Sequence, residues 1–353
     1  VTAAVGGRAD RPIRVVAFGG GHGLSASLRA LRHAATELEL DLTAIVTVGD
    51  DGGSSGRLRV ERDALLPPGD LRQALAALAD EHPTTQLTAT LMQHRFVAMP
   101  EPGAGHLPPV VRGPRLERRA DRSKDTLAGH TVGNLLLLGL MEMLGDPVRA
   151  LDHAAAMVGA CGRVLPMALH AVGIEADVAG TDPARPGDTV TVRGQHSVAV
   201  ADGRVEAVRL EPADPPACPQ AVEAVLAADW LIFGPGSWYT SVLPHLLVPG
   251  LARAIVASPA RRLVTLNLGT DKETHGLSAA GHLVTLQRYL PELRVDAVLA
   301  DVKWAGEPEP VRAAAQRMGA ELVLAPVAVD DGSPRHDPEA LGVALVPVLG
   351  AAR

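Results

Sequence analysis

Four short polar segments of this sequence combine glycine with side chains that can bind or react. The first is Gly19-Gly20-Gly21-His22-Gly23-Leu24-Ser25-Ala26-Ser27, in which Gly21, Gly23 and Ala26 satisfy the pattern GxGxxA. Glycine lets the backbone approach a phosphate, and a helix opening here offers free N–H groups and the positive end of its dipole. The plain alternative is a tight strand-to-helix turn with no ligand. No Lys-Ser or Lys-Thr follows, so this is not a Walker A loop.

The second segment runs from Gly49 to Arg57 and carries Asp50, Asp51, Ser54 and Ser55. An acid after the second strand of such a fold can bind a ribose hydroxyl. Two adjacent carboxylates can instead hold Mg²⁺ through its water shell beside phosphates. Neighbours on extended chain point opposite ways, so one of Asp50 and Asp51 faces a site while the other orders the loop. The GxSxG pattern in this segment is what a Gly/Ser-rich turn yields by chance, and a plain turn accounts for it as well.

The third region pairs Pro67-Pro68-Gly69-Asp70 with Gly129-His130-Thr131-Val132-Gly133-Asn134. Asp70 and Thr131 are each either helix N-caps or ligand contacts. His130 and Asn134 are less easily explained as caps, and Asn134 can grip a base or another flat ring through both ends of its amide. The fourth segment, Gly234-Pro235-Gly236-Ser237-Trp238-Tyr239-Thr240-Ser241, reads as a second anion nest. There Ser237 and Thr240 can donate to phosphate, and Tyr239 either stacks on a base or belongs to the core.

The elements that must position these segments are legible around them. Residues 13–18 and 43–48 are short apolar runs that fit buried parallel strands. Leu24, Leu28, Leu31 and Leu38 mark a helix between them, which makes a βαβ unit. Residues 71–80 and an apolar stretch after 129–134 read as helices, and 171–210 alternates in the manner of antiparallel strands. Apolar runs at 229–233, 262–268, 295–301 and 321–327 add further strands. The expected fold is α/β: a Rossmann-like, doubly wound, mostly parallel sheet with a small antiparallel β insertion at about 171–215. Residues 1–12 are expected as a flexible tail and 13–353 as one domain. A mobile loop at about 97–129 carries Arg112, Arg115, Arg118, Arg119, Arg122 and Lys124. It is a solvated charge run or a lid that attracts phosphates.

Composition narrows the function classes. The 353 residues are 47% hydrophobic, more than one core usually holds, since single cores stop growing near about 250–300 residues. With 33 Lys and Arg against 40 Asp and Glu, the net charge is −7, which argues against a general nucleic-acid binder. Only 3 Trp, 2 Tyr and 3 Phe are present, so base-stacking platforms are not expected and Ala, Val and Leu must build the core. Cys161 and Cys218 lie too far apart for a CxxC metal site. The first twelve residues have no apolar signal core, and the apolar run 135–144 is too short to span a bilayer. A cytoplasmic protein is the expectation.

Taken together, GGGHGLS, VTVGDDGGSSGRLR, LPPGDLRQALAALAD, GHTVGN and FGPGSWYTSVLPHLLVPG resemble the CofD-like superfamily. The segment NLGTDKETHGLSAAGH at 267–282 is similar to its YvcK branch, known as gluconeogenesis factors. The resemblance runs from Ile13 to beyond His282 and implies a Rossmann-like fold. It implies a nucleotide cleft lined by Gly20, Gly21, His22, Gly23, Asp50, Asp51, Asp70, Asn134, Gly236, Ser237 and Thr240. To these our reading adds Gly19, Ser54, His130, Gly234, Tyr239 and Asn267. His22 stands where many relatives have Thr. The branch implies a protein that binds UDP-N-acetylglucosamine or UDP-glucose and is needed for cell shape and wall synthesis on gluconeogenic carbon sources. Other members of the superfamily are Mg²⁺-dependent 2-phospho-L-lactate transferases acting on the deazaflavin Fo. In that reading Asp50, Asp51 and Asp70 are catalytic, and Asp50 and Asp51 hold the metal. An NAD-dependent oxidoreductase, with His130 as acid or base, is the further alternative. The expected partner is a nucleotide-sugar, with no nucleic acid and no membrane span, in a homo-oligomer.

Overall fold

The computed structural model describes residues 11–98, 126–181, 185, 187–269 and 272–351. The basic cluster Arg112–Lys124 and most of the expected tail lie outside them. Arg11 is described, and its guanidinium is held by the Asp229 carboxylate at 2.7 and 2.9 Å.

The strands are β1 (Ile13–Gly19), β2 (Leu40–Val46), β3 (Gly162–Pro166), β4 (Gly173–Ala179), β5 (Thr189–Arg193), β6 (Arg204–Glu211), β7 (Trp230–Phe233), β8 (Arg261–Thr265), β9 (Ala297–Asp301) and β10 (Glu321–Ala325). The helices are α1 (Gly21–Ala34), α2 (Gly53–Arg62), α3 (Pro68–Leu78), α4 (Pro83–Gln93), α5 (Val132–Leu144), α6 (Pro147–Met157), α7 (Gln195–Val200), α8 (Pro219–Ala227), α9 (Pro244–Leu247), α10 (Pro249–Ala257), α11 (Ala279–Tyr289), α12 (Pro308–Arg317) and α13 (Pro338–Gly350).

Seven strands form one parallel sheet in the order β10-β9-β8-β7-β1-β2-β3. β1 is followed outward by β2 on one side and flanked by β7 on the other. The strand order therefore reverses between β1 and β7, and in open α/β sheets a crevice opens at the carboxyl ends of such a pair. The Gly19–Gly23 segment leaves β1 at that point, and Gly234–Ser237 leaves β7. Beneath them Phe18 stacks on Phe233 at 4.8 Å. Most of the remaining core is Ala, Val and Leu, in keeping with the composition.

β4, β5 and β6 make a separate antiparallel sheet in the order β5-β4-β6. On β4, Ile174, Ala176 and Val178 are buried, while Glu175 and Asp177 face Arg193 and Arg209 on the outer side. That alternation is the half-buried pattern read from the sequence. The insertion also contains the short helix α7.

Several boundaries differ from the sequence reading. β2 starts at Leu40 rather than residue 43, because its pairing with β1 extends down to Ile13. Residues 53–57 were expected in a turn, yet Gly53 already opens α2. Helix α4 has no counterpart in the sequence reading. α3 begins at Pro68, where a fixed φ and a missing N–H suit the first helical position. Asp70 is therefore the third residue of the helix and not its N-cap. The helix α1 ends at Ala34, so Leu38 lies beyond it.

Candidate functional site at the β1/β7 switch point

The loops after β1 and β7 pack backbone against backbone. A Cβ on Gly23 would meet the Cα of Gly236 and the carbonyl oxygen of Pro235, so only glycine allows this approach. Gly21 adopts φ +55°, which turns the chain directly from β1 into α1. The result is a cleft of about 940 Å³, reached by α1, the 49–52 segment, α7, the 235–241 turn and the loops after β8 and β10. Gly20, Gly21, His22 and Gly23 line it, as the sequence suggested. Gly19 and Gly234 do not; they end the strand below it and open the turn.

The three aspartates part company. Asp50 lines the cleft, and its Oδ1 accepts from the Gly52 N–H at 3.0 Å. Asp51 does not line it. Its Oδ1 accepts the His196 N–H at 2.9 Å, so it caps α7 from outside, where Gly194 provides no side chain. The Asp50/Asp51 metal pair is thus not formed; the carboxylate that comes close to Asp50 is Asp70. Asp70 is buried in the cleft wall, and its Oδ2 has no partner. Burial, and then the charge of Asp50, push its pKa up to about 7, against a weaker pull from the Gly21 N–H and Arg72. A Cβ on Gly69 would lie 2.5 Å from the Asp50 Oδ2, which shows how closely the start of α3 approaches that carboxylate. Among the described residues no group of three or more His, Cys, Asp or Glu is arranged to hold a metal.

Ser54, His130 and Asn134 were expected at the ligand but lie behind the wall. His130 Nδ1 is 2.9 Å from Ser54 Oγ, and Ser54 Oγ accepts from Asn134 Nδ2 at 2.9 Å. Asn134 Oδ1 accepts from Arg72 Nε at 2.9 Å, and Arg72 donates onward to Gln93. Both ends of the Asn134 amide are engaged, so it does not grip a base. The chain of contacts holds a buried guanidinium beside Asp50 and Asp70. His130 is outside the cleft, which removes the acid–base residue of the oxidoreductase reading. Thr131 occupies the N-cap position of α5, but its hydroxyl makes no capping bond.

The second loop is also not the open nest expected. Asn267 receives the Gly236 N–H and donates to the Gly236 carbonyl, both at 2.8 Å. After Ser237 the chain makes one π-helical turn, Trp238–Val242. The buried Glu273 fills its start: one oxygen accepts the Tyr239 N–H and the other the Thr240 hydroxyl, each at 2.9 Å. Thr240 and Ser237 line the cleft, but the Thr240 proton is committed to Glu273 and is not available to a phosphate. Tyr239 faces away from the cleft, so it stacks on no ligand there.

The cleft gains residues that the sequence reading passed over: Gln195, Arg29, Arg335 and His336. They come from α7, the exposed side of α1 beyond its glycine-rich start, and the segment before α13, where no glycine-rich signature marks them. Gln195 Oε1 and His336 Nε2 are buried without partners, as is Asp70 Oδ2. Burial lowers the His336 pKa to about 4 despite a hydrogen bond to the Leu266 backbone, so its ring is neutral near pH 7.

A family model described as 2-phospho-L-lactate transferase CofD matches residues 15–346. A Mycobacterium tuberculosis protein named "Putative gluconeogenesis factor" is 47% identical over 335 residues, 94% of this chain and 89% of that protein. The "Gluconeogenesis factor" of Bacillus subtilis is 35% identical over 289 residues, 82% of this chain and 78% of that protein. A crystal structure of a UPF0052 family member from Bacillus halodurans matches with a TM-score of 0.76 and 32% identity, covering 95% of this chain and 99% of the other. Among the described residues no helix is long and apolar enough to cross a membrane. The matched span takes in every strand of the parallel sheet except the first two residues of β1, together with the cleft at its switch point, and the chain belongs to the CofD family, among the proteins named gluconeogenesis factors.

Proposed function

We propose that this protein binds a nucleotide-sugar of the UDP-N-acetylglucosamine or UDP-glucose type in the switch-point cleft, as a regulator of carbon use and cell-wall synthesis. The observation that carries this reading is the set of unpartnered buried atoms facing the cleft. Gln195 Oε1 is an acceptor, and so is Nε2 of the neutral His336, which is bonded to the Leu266 backbone through its other nitrogen. Asp70 Oδ2, on a carboxyl with a pKa of about 7, accepts when ionised and donates when protonated. Buried acceptors without donors are costly, and a ligand rich in hydroxyls satisfies them. Arg29 and Arg335 supply positive charge for a diphosphate at the same cleft. A volume of about 940 Å³ lies in the range of ligand pockets, about 300–1,000 Å³.

Calorimetric titration with UDP-N-acetylglucosamine, UDP-glucose, UDP, GDP and NAD tests it. Tighter binding of a UDP-sugar than of UDP is expected. Binding of another nucleotide with no heat from either UDP-sugar overturns it. A second reading, the phospholactate transferase, draws on the closeness of Asp50 and Asp70. Their hard oxygen donors suit Mg²⁺, which would neutralise phosphate charge there. Incubation with Fo, lactyl-diphosphoguanosine and Mg²⁺ decides it, and no phospholactyl product over hours rejects it.

A further inference from the structure

A second cavity lies on the far side of the 238–242 turn, between β6 and α11, with a volume of about 410 Å³. Its wall includes Arg204 on β6, Tyr239, Glu273, His275, and Thr285 and Arg288 on α11. Thr285 and Arg288 are three residues apart on one helix and so share a face.

The chemistry of this wall is specific. Thr285 donates its proton to the Gly281 carbonyl at 2.9 Å. The Tyr239 and Thr285 hydroxyls are in hydrogen-bond contact, which lowers the phenol's pKa against its burial, and each oxygen, with two lone pairs, can still accept from a ligand. The Glu273 oxygens are occupied by Tyr239 and Thr240. The lining carries Arg204 and Arg288 against Glu206 and Glu273, and of the two guanidinium groups Arg288 makes no ion pair among the described residues. Among the described residues Arg204 pairs only with Glu206, at 2.8 Å and largely in solvent, a contact of little energetic weight. Both guanidinium groups act on the Tyr239 hydroxyl and pull its acidity back against burial. Cations at the mouth and hydroxyl acceptors at the floor match a ligand with an anionic end and hydroxyl groups behind it.

We propose that this cavity is a second small-molecule site, distinct from the switch-point cleft, for a hydroxylated phosphate monoester of sugar-phosphate class. Arg204 and Arg288 hold the phosphate, and Tyr239 and Thr285 accept from the hydroxyls. The probes are glucose 6-phosphate, glycerol 3-phosphate and inorganic phosphate, titrated calorimetrically into the full chain. At least one of the two esters binds, more tightly than inorganic phosphate. The double variant Arg204→Ala/Arg288→Ala, which changes only exposed side chains, weakens that ester at least about tenfold, or 1.4 kcal/mol. Tyr239→Phe weakens the ester and leaves inorganic phosphate unchanged. Asp70→Asn, in the other cleft, changes neither. Absence of binding by both esters at about 10 mM, where a millimolar Kd gives a clear signal, overturns the proposal. So does parental affinity in the arginine double variant, or loss of ester binding in Asp70→Asn. None of these titrations contains a nucleotide-sugar, so their failure leaves the reading of the main cleft untouched.

Discussion

Replacing Asp51 by Ala removes the acceptor that caps the N-terminus of α7 but leaves the cleft lining intact. We expect nucleotide-sugar affinity to stay within twofold and stability to fall by about 0.5–2 kcal/mol, the usual worth of a cap. Asp50→Asn does the reverse. It loses a charge-assisted acceptor at the ligand, about 1.5–3 kcal/mol, so affinity drops roughly ten- to a hundredfold, while the free protein, relieved of a like charge beside Asp70, melts no lower. Calorimetry and thermal melting of the two variants side by side check both statements. Asp70 makes a prediction about pH. Its folded pKa of about 7 stands above the ordinary 3.8, so the folded state keeps a proton that the unfolded chain has released. The stability linked to it is fully present below about pH 4 and is lost as pH rises through about 7. Urea midpoints of the ligand-free protein across that window should therefore converge on those of Asp70→Asn at low pH and fall behind them as pH rises.

The turn Trp238–Val242 shows how one element depends on a residue distant in sequence. Ser237 accepts from both Ser241 N–H, at 2.8 Å, and Val242 N–H, at 3.1 Å, which widens the helix by one residue. Glu273 closes its open end. In Glu273→Ala the Tyr239 N–H and Thr240 hydroxyl lose their acceptor in a buried place, at about 1–3 kcal/mol for each group. Glu273→Gln keeps an acceptor and should recover a good part of the loss. Denaturant titration of the two variants distinguishes a clamp from a mere cavity filler, for which both would cost the same. Asn134 has a similar position in the relay to Arg72. Asn134→Leu leaves a buried guanidinium short of an acceptor, and a destabilisation of about 1.5–3 kcal/mol is expected in the same experiment.

Across the whole molecule, the parallel sheet is held from within by a buried histidine. His245 follows the turn at the start of α9, contacts Phe18 edge-on at 5.5 Å and lies 3.0 Å from the Ile45 carbonyl oxygen on β2. Burial lowers its pKa to about 4, although the backbone carbonyls oppose the shift. A depressed histidine pKa has the opposite sign to Asp70: the stability is present above about pH 6.5 and lost as pH falls through about 4. In the Asp70→Asn background, acid should therefore weaken the fold over that interval. His245→Gln, which can still donate to Ile45, should flatten the slope. A slope that is the same with and without His245 would assign the acid sensitivity elsewhere.

The sequence by itself determined the parallel strands, the antiparallel insertion, the apolar core poor in aromatics and the two glycine loops after β1 and β7. These rest on local rules: runs of Val, Ile and Leu bury, alternation leaves one face wet, and glycine marks close backbone approach. The same residues already carried the likeness to the CofD family. Only the tertiary structure decided which polar side chains face the cleft. Adjacent Asp50 and Asp51 are indistinguishable in sequence, and α7, over 140 residues later, takes one of them as a cap. His130, Ser54 and Asn134 satisfy one another across 76 and 80 positions, so they are spent before any ligand arrives. Glu273 and Asn267 occupy the donors of the second loop from 31 to 34 positions away. Hydrogen-bond partners that distant leave no period and no spacing in the chain. A residue's type states what it can bond, and the fold determines what it has left to offer.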